Sequence, residues 1–159
     1  NMNFKKKFWE EKIINWENGR YSLENTFSNN LENISDKLSS SLIYRQKIAI
    51  DILRPLIENV NIVELGCGSG LLAKTFLELN CKSYTGYDIS QNAIDRANYI
   101  AKQNNFSNKI KFFATDIDDI DKDKDADLVF SLGLFDWLND NEIKKIFENF
   151  NNSMHLHSI

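Results

Sequence analysis

The stretch Val63-Glu64-Leu65-Gly66-Cys67-Gly68-Ser69-Gly70 constrains the fold more than any other part of the chain. Three glycines alternate behind a largely apolar run, Val60 to Leu65, and Glu64 interrupts that run two places before the first glycine. An apolar strand that enters a glycine turn and leaves as a helix brings main chain close to a bound cofactor. Glycine serves there because it lacks a Cβ and accepts positive φ without strain. Ligands of such sheets sit beyond the carboxyl ends of the strands, beside the first one.

The rest of the chain reads as alternating strands and helices around that turn. Strands are predicted at 61–65, 83–88, 109–114 and 127–132, with a start of a fifth from Met154. A helix is predicted from Gly70 to about Leu79. Another runs from an N-cap at Ser90 to about Gln103, with Ala93, Ile94, Ala97, Ile100 and Ala101 inside. Asn139 and Glu142 have capping-box spacing, and the helix they open should bury Ile143, Ile146, Phe147 and Phe150. This order calls for a doubly wound α/β fold, a mainly parallel sheet in the order 3-2-1-4-5. Upstream, Phe4, Phe8, Trp9, Ile13 and Trp16 predict an amphipathic helix over 3–18, ended by Gly19. Residues 20–34, rich in Asn and Ser, read as a loop. A second helix is expected over 36–57, carrying Leu38, Leu42, Ile43, Ile48, Ile52 and Leu53, with Pro55 ending or bending it. The division is therefore an N-terminal cap, 1–35, and an α/β domain, 36–159. Nine residues after Phe150 start a fifth strand and no more, so the sheet should expose an edge. A fragment of a longer protein, or a second copy covering that edge in a homo-oligomer, would account for it.

Composition bounds the partners. A formal net charge of −4 supplies no field for nucleic acid, and no apolar run is long enough to span a membrane. Lys5-Lys6-Lys7 has no apolar segment behind it, so no secretory signal is read. Cys67 and Cys81 make no disulfide framework and read as free thiols of a cytoplasmic protein.

Two cofactor classes compete for the turn. A dinucleotide, as in an NAD-dependent oxidoreductase, wants Gly-x-Gly-x-x-Gly, and Leu71 stands where the third glycine belongs. Glu64 also repels a pyrophosphate. S-adenosylmethionine is positive at its sulfonium and amino groups, and an acidic residue favours it. Here the chain resembles the class I S-adenosylmethionine-dependent methyltransferases. Glu64-Leu65-Gly66-Cys67-Gly68-Ser69-Gly70 fits every fixed place of their first motif. Gly86-Tyr87-Asp88-Ile89-Ser90, Ala114-Thr115-Asp116-Ile117 and Ala126-Asp127-Leu128-Val129-Phe130-Ser131-Leu132-Gly133 follow in order as three further stations. The resemblance covers about residues 40–150 and implies a Rossmann-like fold, truncated relative to the family's seven strands.

The resemblance also implies roles. Glu64, Gly66, Cys67, Gly68 and Gly70 would cradle the cofactor. Asp88, with Ile89 beside it, would bind the ribose hydroxyls, a charge-assisted contact. Asp116 would meet the adenine amino group, with Ile117 beside the ring. The backbone near Ser131 and Leu132 would face the methionine end, and Arg45 suits the cofactor carboxylate through its forked donors. The reaction would be displacement of the sulfonium methyl, leaving S-adenosylhomocysteine. Catalysis would rest mostly on alignment and exclusion of water, with Asp136 as the candidate base.

The remaining motifs carry less. The acidic run Asp116 to Asp127 fails as a calcium loop, because Lys124 or Ala126 stands at its glycine place and Phe130 or Leu132 at its closing Glu. His155 and His157 would share a strand face and can bind metal or act as a base, but no metal is assigned. Asp127, at the start of its strand, reads as structural. Phe135-Asp136-Trp137 lies where substrate-side groups are expected, and Trp16, Tyr21 and Phe27 are candidates for a lid. A small-molecule acceptor is favoured over RNA or DNA, since Ser131-Leu132-Gly133-Leu134 replaces the tetrad of amino-DNA methyltransferases. A protein acceptor is the second choice. A cofactor-binding fragment or assembly module without catalysis is the reading from another class.

Overall fold

The computed structural model describes residues 2–21, 44–106 and 108–159. Five strands, β1 (Asn61–Leu65), β2 (Ser83–Asp88), β3 (Ile110–Ala114), β4 (Leu128–Leu132) and β5 (Met154–Ser158), form one sheet in the order β3-β2-β1-β4-β5. Every pairing is parallel. The helices are α1 (Met2–Tyr21), α2 (44–53), α3 (Ala73–Glu78), α4 (Gln91–Gln103) and α5 (Asp140–Asn149). The predicted order is met, with most boundaries within a residue or two.

The sheet is covered on both faces, so β1 and β4 are largely apolar, broken only near their ends, by Asn61 and Glu64 and by Ser131. On one face Ile62, Tyr84, Phe112 and Phe130 pack with Leu53 from α2, Phe76 from α3 and Ile94 and Ala97 from α4. On the other, Val63, Leu65 and Val129 pack with Ile146 of α5 and Phe150. Local signals fix the ends. The Ser90 hydroxyl accepts from the Ala93 N–H at 3.1 Å, and Asn139 and Glu142 complete a capping box on α5. Asp127 Oδ2 accepts the Asn61 N–H at 2.8 Å, tying the strand starts together away from the ligand end. Asp123 accepts the Asp125 and Ala126 amides, so part of the acidic link closes a turn of its own.

Four expectations need correction. α1 does not end at Gly19 but continues to Tyr21; a glycine costs a helix only about 1 kcal/mol and lowers its stability without forbidding it. The helix after the glycine turn is shorter than 70–79, because residues 70–72 are spent on the turn and the helix begins at Ala73. In α2 the buried stripe is Ala49 and Leu53, continued by Ile57, while Ile48 and Ile52 are exposed. The helix gives way to a 3-10 turn at Arg54–Leu56, where Pro55 removes a donor. Phe147 is 44% exposed rather than buried, since it lies over the outermost strand against His155 and His157. Leu38, Leu42, Ile43, Phe27 and the 35/36 boundary lie outside the described residues, as do the side chains of Trp16 and Tyr21.

Candidate functional site

The turn after β1 is folded down onto the end of β2. Gly66 and Cys67 donate their N–H groups to the Tyr87 carbonyl at 2.8 and 3.0 Å. Gly68 N–H donates to Asp88 Oδ2 at 2.8 Å, and Ser90 N–H donates to Oδ1 at 2.9 Å. Gly70, at φ +68°, passes so close to the Phe112 ring that a Cβ would overlap it. The main chain here is packed in place by β2 and β3.

Beyond the strand ends lies a cavity of about 370 Å³, the size of a site for one small ligand. Its walls bring together Glu64, Gly66, Cys67, Gly68, Asp88, Ile89, Asp116 and Ile117, with Arg45 from α2 and Asp136 from the turn after β4. Two expected residues are not brought in. Gly70 is spent on packing against Phe112. The side chain of Ser131 is fully buried on the other face of β4, its hydroxyl 2.7 Å from His157 Nδ1, while Leu132, expected beside it, lines the cavity together with Gly133. Side chains alternate along a strand, so a one-residue step decides which face a group serves.

The cavity floor is acidic and buried. Burial raises Glu64 from an ordinary 4.5 to about 8, against the Tyr84 hydroxyl, which donates to its Oε2 and pulls the other way. Asp88 is raised from 3.8 to about 6, again mainly by burial, and the Ser90 and Gly68 amides oppose the shift. Burial pushes the Cys67 thiol well above its usual range, so it is an inert wall group rather than a nucleophile.

The roof was not foreseen in its particulars. α1 crosses the cavity and is fastened at both sides. Glu10 accepts from the Gln91 and Asn92 amides at the start of α4, at 2.6 and 3.0 Å. Glu17, only 4% exposed, accepts the Ser69 N–H at 2.8 Å and the Ser69 hydroxyl. On the far side Lys5 pairs with Glu142 of α5 at 3.0 Å, and Trp9 meets Trp137 edge-on at 5.1 Å between ring centres. Phe8 completes this aromatic group at 5.5 Å from Trp137. The spacing of Glu10, Ile13 and Glu17 puts them on one helical stripe, which is the sequence signal that was there to be read. Below this side, Asp116, Asp118 and Glu142 each place a carboxylate oxygen within 4.8 Å of the others, balanced by Lys5 and by Lys145, 3.6 Å from Asp118.

The histidine pair lies outside the cavity lining. His155 Nε2 faces the Phe150 carbonyl at 2.9 Å and must donate to it; His155 Nδ1 then accepts from His157 Nε2 at 3.1 Å. His157 Nδ1 is left to accept from the Ser131 hydroxyl. Burial lowers His157 from 6.5 to about 4, so its ring stays neutral near pH 7. The arrangement fastens β5 to β4.

Comparison with known proteins agrees with this architecture. Residues 62–155 match the family model described as a methyltransferase domain. The ribosomal protein L11 methyltransferase of Shewanella sp. (strain W3-18-1) is 36% identical over 72 residues, 45% of this chain and 22% of the relative. The chain thus spans about a fifth of the length of the curated relatives it matches. Among solved structures, magnesium protoporphyrin IX methyltransferase from Synechocystis PCC 6803, with bound SAM, superposes with a TM-score of 0.68 at 15% identity, over 93% of this chain and 69% of that one. A putative S-adenosyl-L-methionine-dependent methyltransferase from Methanococcus maripaludis gives 0.59 at 20% identity, over 79% and 63%. These likenesses establish the fold, and the match over more than half of its residues shows that the chain belongs to the methyltransferase-domain family.

Proposed function

We propose that this chain binds S-adenosylmethionine in the glycine-turn cavity and transfers its methyl group to a small-molecule acceptor admitted beneath α1. The observation that carries the reading is Asp88, a carboxylate held by two backbone amides at the head of a cavity that Gly66 and Gly68 open to the main chain. Each Asp88 oxygen accepts one N–H and keeps a lone pair, which suits a ribose diol. Asp116 and Ile117 line the same cavity, where they suit the adenine, and Glu64, raised to about 8 by burial, would give up its proton and ionise against a cationic ligand.

Bound there, the cofactor supplies an electrophilic methyl on a good leaving group. The chain's own residues have three tasks. The glycine turn and Asp88 fix the cofactor. Trp9, Trp137 and Leu134 line the acceptor side and exclude water. Asp136, exposed at the rim in the 3-10 turn Phe135–Trp137, is in position to take a proton from an acceptor that arrives protonated. The aromatic side chains of Trp9 and Trp137 on that side favour a small acceptor that they can pack against. No helix among the described residues is long and apolar enough to cross a membrane. The local likeness to a ribosomal-protein methyltransferase favours a protein acceptor as the second reading.

Calorimetric titration with S-adenosylmethionine and S-adenosylhomocysteine tests the cofactor. Both should bind, and Asp88→Ala should weaken both by about ten- to a hundredfold, the worth of a charge-assisted hydrogen bond. Absence of binding by the starting protein would overturn the assignment. Mass spectrometry of acceptor mixtures then separates a small-molecule product from a methylated protein.

A further inference from the structure

The amides of the glycine turn are not equivalent. Gly66 and Cys67 N–H are used by the Tyr87 carbonyl, Gly68 N–H by Asp88, and Gly70 N–H by the Cys67 carbonyl at 2.9 Å. All four are consumed by the turn and the strand beneath it. Ser69 N–H alone among the five points to a group from outside the α/β domain, Glu17 of α1, 52 residues away in sequence. The Ser69 hydroxyl donates to the other Glu17 oxygen, and Arg96 Nη1 of α4 lies 3.9 Å from it. An N–H, an O–H and a guanidinium around one carboxylate make an anion subsite, and its present occupant is internal.

The space tells the same story. A Cβ on Gly68 would overlap Glu17 Oε1. The Glu17 carboxylate therefore fills the volume that the glycine leaves open. It also brings a negative charge toward Glu64 and Asp88, each of which it pushes upward. Like charges gathered in a buried site cost stability, so this contact is one that a better-matched ligand can replace.

We propose that the Ser69 N–H and hydroxyl, backed by Arg96, form the subsite for the α-carboxylate of the cofactor, and that Glu17 holds this subsite closed until the cofactor displaces it. The proposal rests on the S-adenosylmethionine reading of the cavity and adds to it where the amino-acid end binds and what must move. Arg45 is the rival. It reaches the cavity from α2, its Nη1 beside the end of β4 and 3.9 Å from where a Cβ on Gly133 would stand.

The test compares S-adenosylmethionine with decarboxylated S-adenosylmethionine, which keeps the sulfonium and the amine and lacks only the carboxylate. Calorimetry on the full chain gives the ratio of their dissociation constants. Glu17→Ala should raise the preference for S-adenosylmethionine about tenfold, by tightening that ligand and leaving the decarboxylated one within about threefold. Ser69→Ala, which keeps the backbone amide, should lower the preference. A Glu17→Ala protein that binds S-adenosylmethionine more weakly would make Glu17 a cofactor ligand and overturn the proposal. So would a preference unmoved by either change, or one lost in Arg45→Ala and retained in Ser69→Ala. If neither compound binds any of these proteins, the cofactor reading falls first; if both bind and the ratio stays fixed, the subsite alone falls.

Discussion

The cavity has one wall of main chain and one of side chains. The first is the glycine turn with the ends of β1 and β2, where amides bond to the Tyr87 carbonyl and to Asp88. The second is α1, the Phe135–Trp137 turn and the start of α5, joined by Trp9 on Trp137 and Lys5 on Glu142. A main-chain wall tolerates few residue types, because φ and the room for a Cβ are set by the fold. A side-chain wall tolerates many, because each contact is worth about a kcal/mol and others can stand in for it. The main-chain wall, proposed for the cofactor, is therefore narrowly specified, and the side-chain wall, proposed for the acceptor, is free to vary.

Gly70→Ala should show the largest difference between the walls. The substitution puts a Cβ into the Phe112 ring at a φ of +68°. Left-handed strain of about 1 kcal/mol adds to overpacking of about 1–3 kcal/mol. Urea unfolding should report a loss of roughly 2–4 kcal/mol. A loss below about 1 kcal/mol would mean that the turn yields easily, and the contrast would fail on its stronger side.

How much of each wall was legible in the sequence follows from the same difference. Glu64, Gly66, Gly68 and Asp88, which the sequence singled out, all line the cavity, because a strand end running into a glycine turn imposes residue types at a fixed spacing. The caps at Ser90 and Asn139 were legible for that reason too. Of the pair Ser131 and Leu132, expected with their backbone toward the methionine end, Leu132 lines the cavity and Ser131 turns its hydroxyl to His157. The sequence does not resolve this one-residue step, because β4 is buried on both faces. Glu17 and Glu10 were missed because their partners lie 52 and about 80 residues away. A glutamate on an amphipathic helix looks the same whether it meets solvent or an amide. Phe147 was assigned to the core by periodicity, which cannot know that among the described residues β5 pairs with β4 alone.

The pH dependence of stability sharpens the contrast on its electrostatic side. Glu64 holds its proton up to about 8 in the folded chain, against 4.5 ordinarily. Between those values the folded state binds more protons than the unfolded, so stability falls as pH rises through the window. Asp88 acts in the same sense but is finished by about 6. His157, lowered to about 4, acts oppositely and only below 6.5, where unfolding gains a proton. From pH 6.5 to 8, then, Glu64 should give a downward slope approaching about 1.4 kcal/mol per pH unit. Glu64→Gln should flatten it, measured as unfolding free energy against pH. A slope unchanged by the substitution would move the buried proton elsewhere.

The smallest effect is expected at the side-chain wall. Lys5→Met removes a pair whose side chains are 31% and 13% exposed, and part-exposed pairs are worth about 0.2–1 kcal/mol. The methionine stem keeps the packing of the lysine chain, so the change isolates the charge. Glu142 still accepts the Asn139 N–H at 2.7 Å, so α5 should keep its first turn. Global stability should therefore drop by less than about 1 kcal/mol. Amide exchange in the first turns of α1 should quicken severalfold, while exchange in β1 and β2 stays the same. A destabilisation as large as that of Gly70→Ala would make α1 part of the core rather than a roof laid over it. The acceptor side would then be as narrowly specified as the cofactor side, and the freedom assigned to it would have to be sought in the Phe135–Trp137 turn alone.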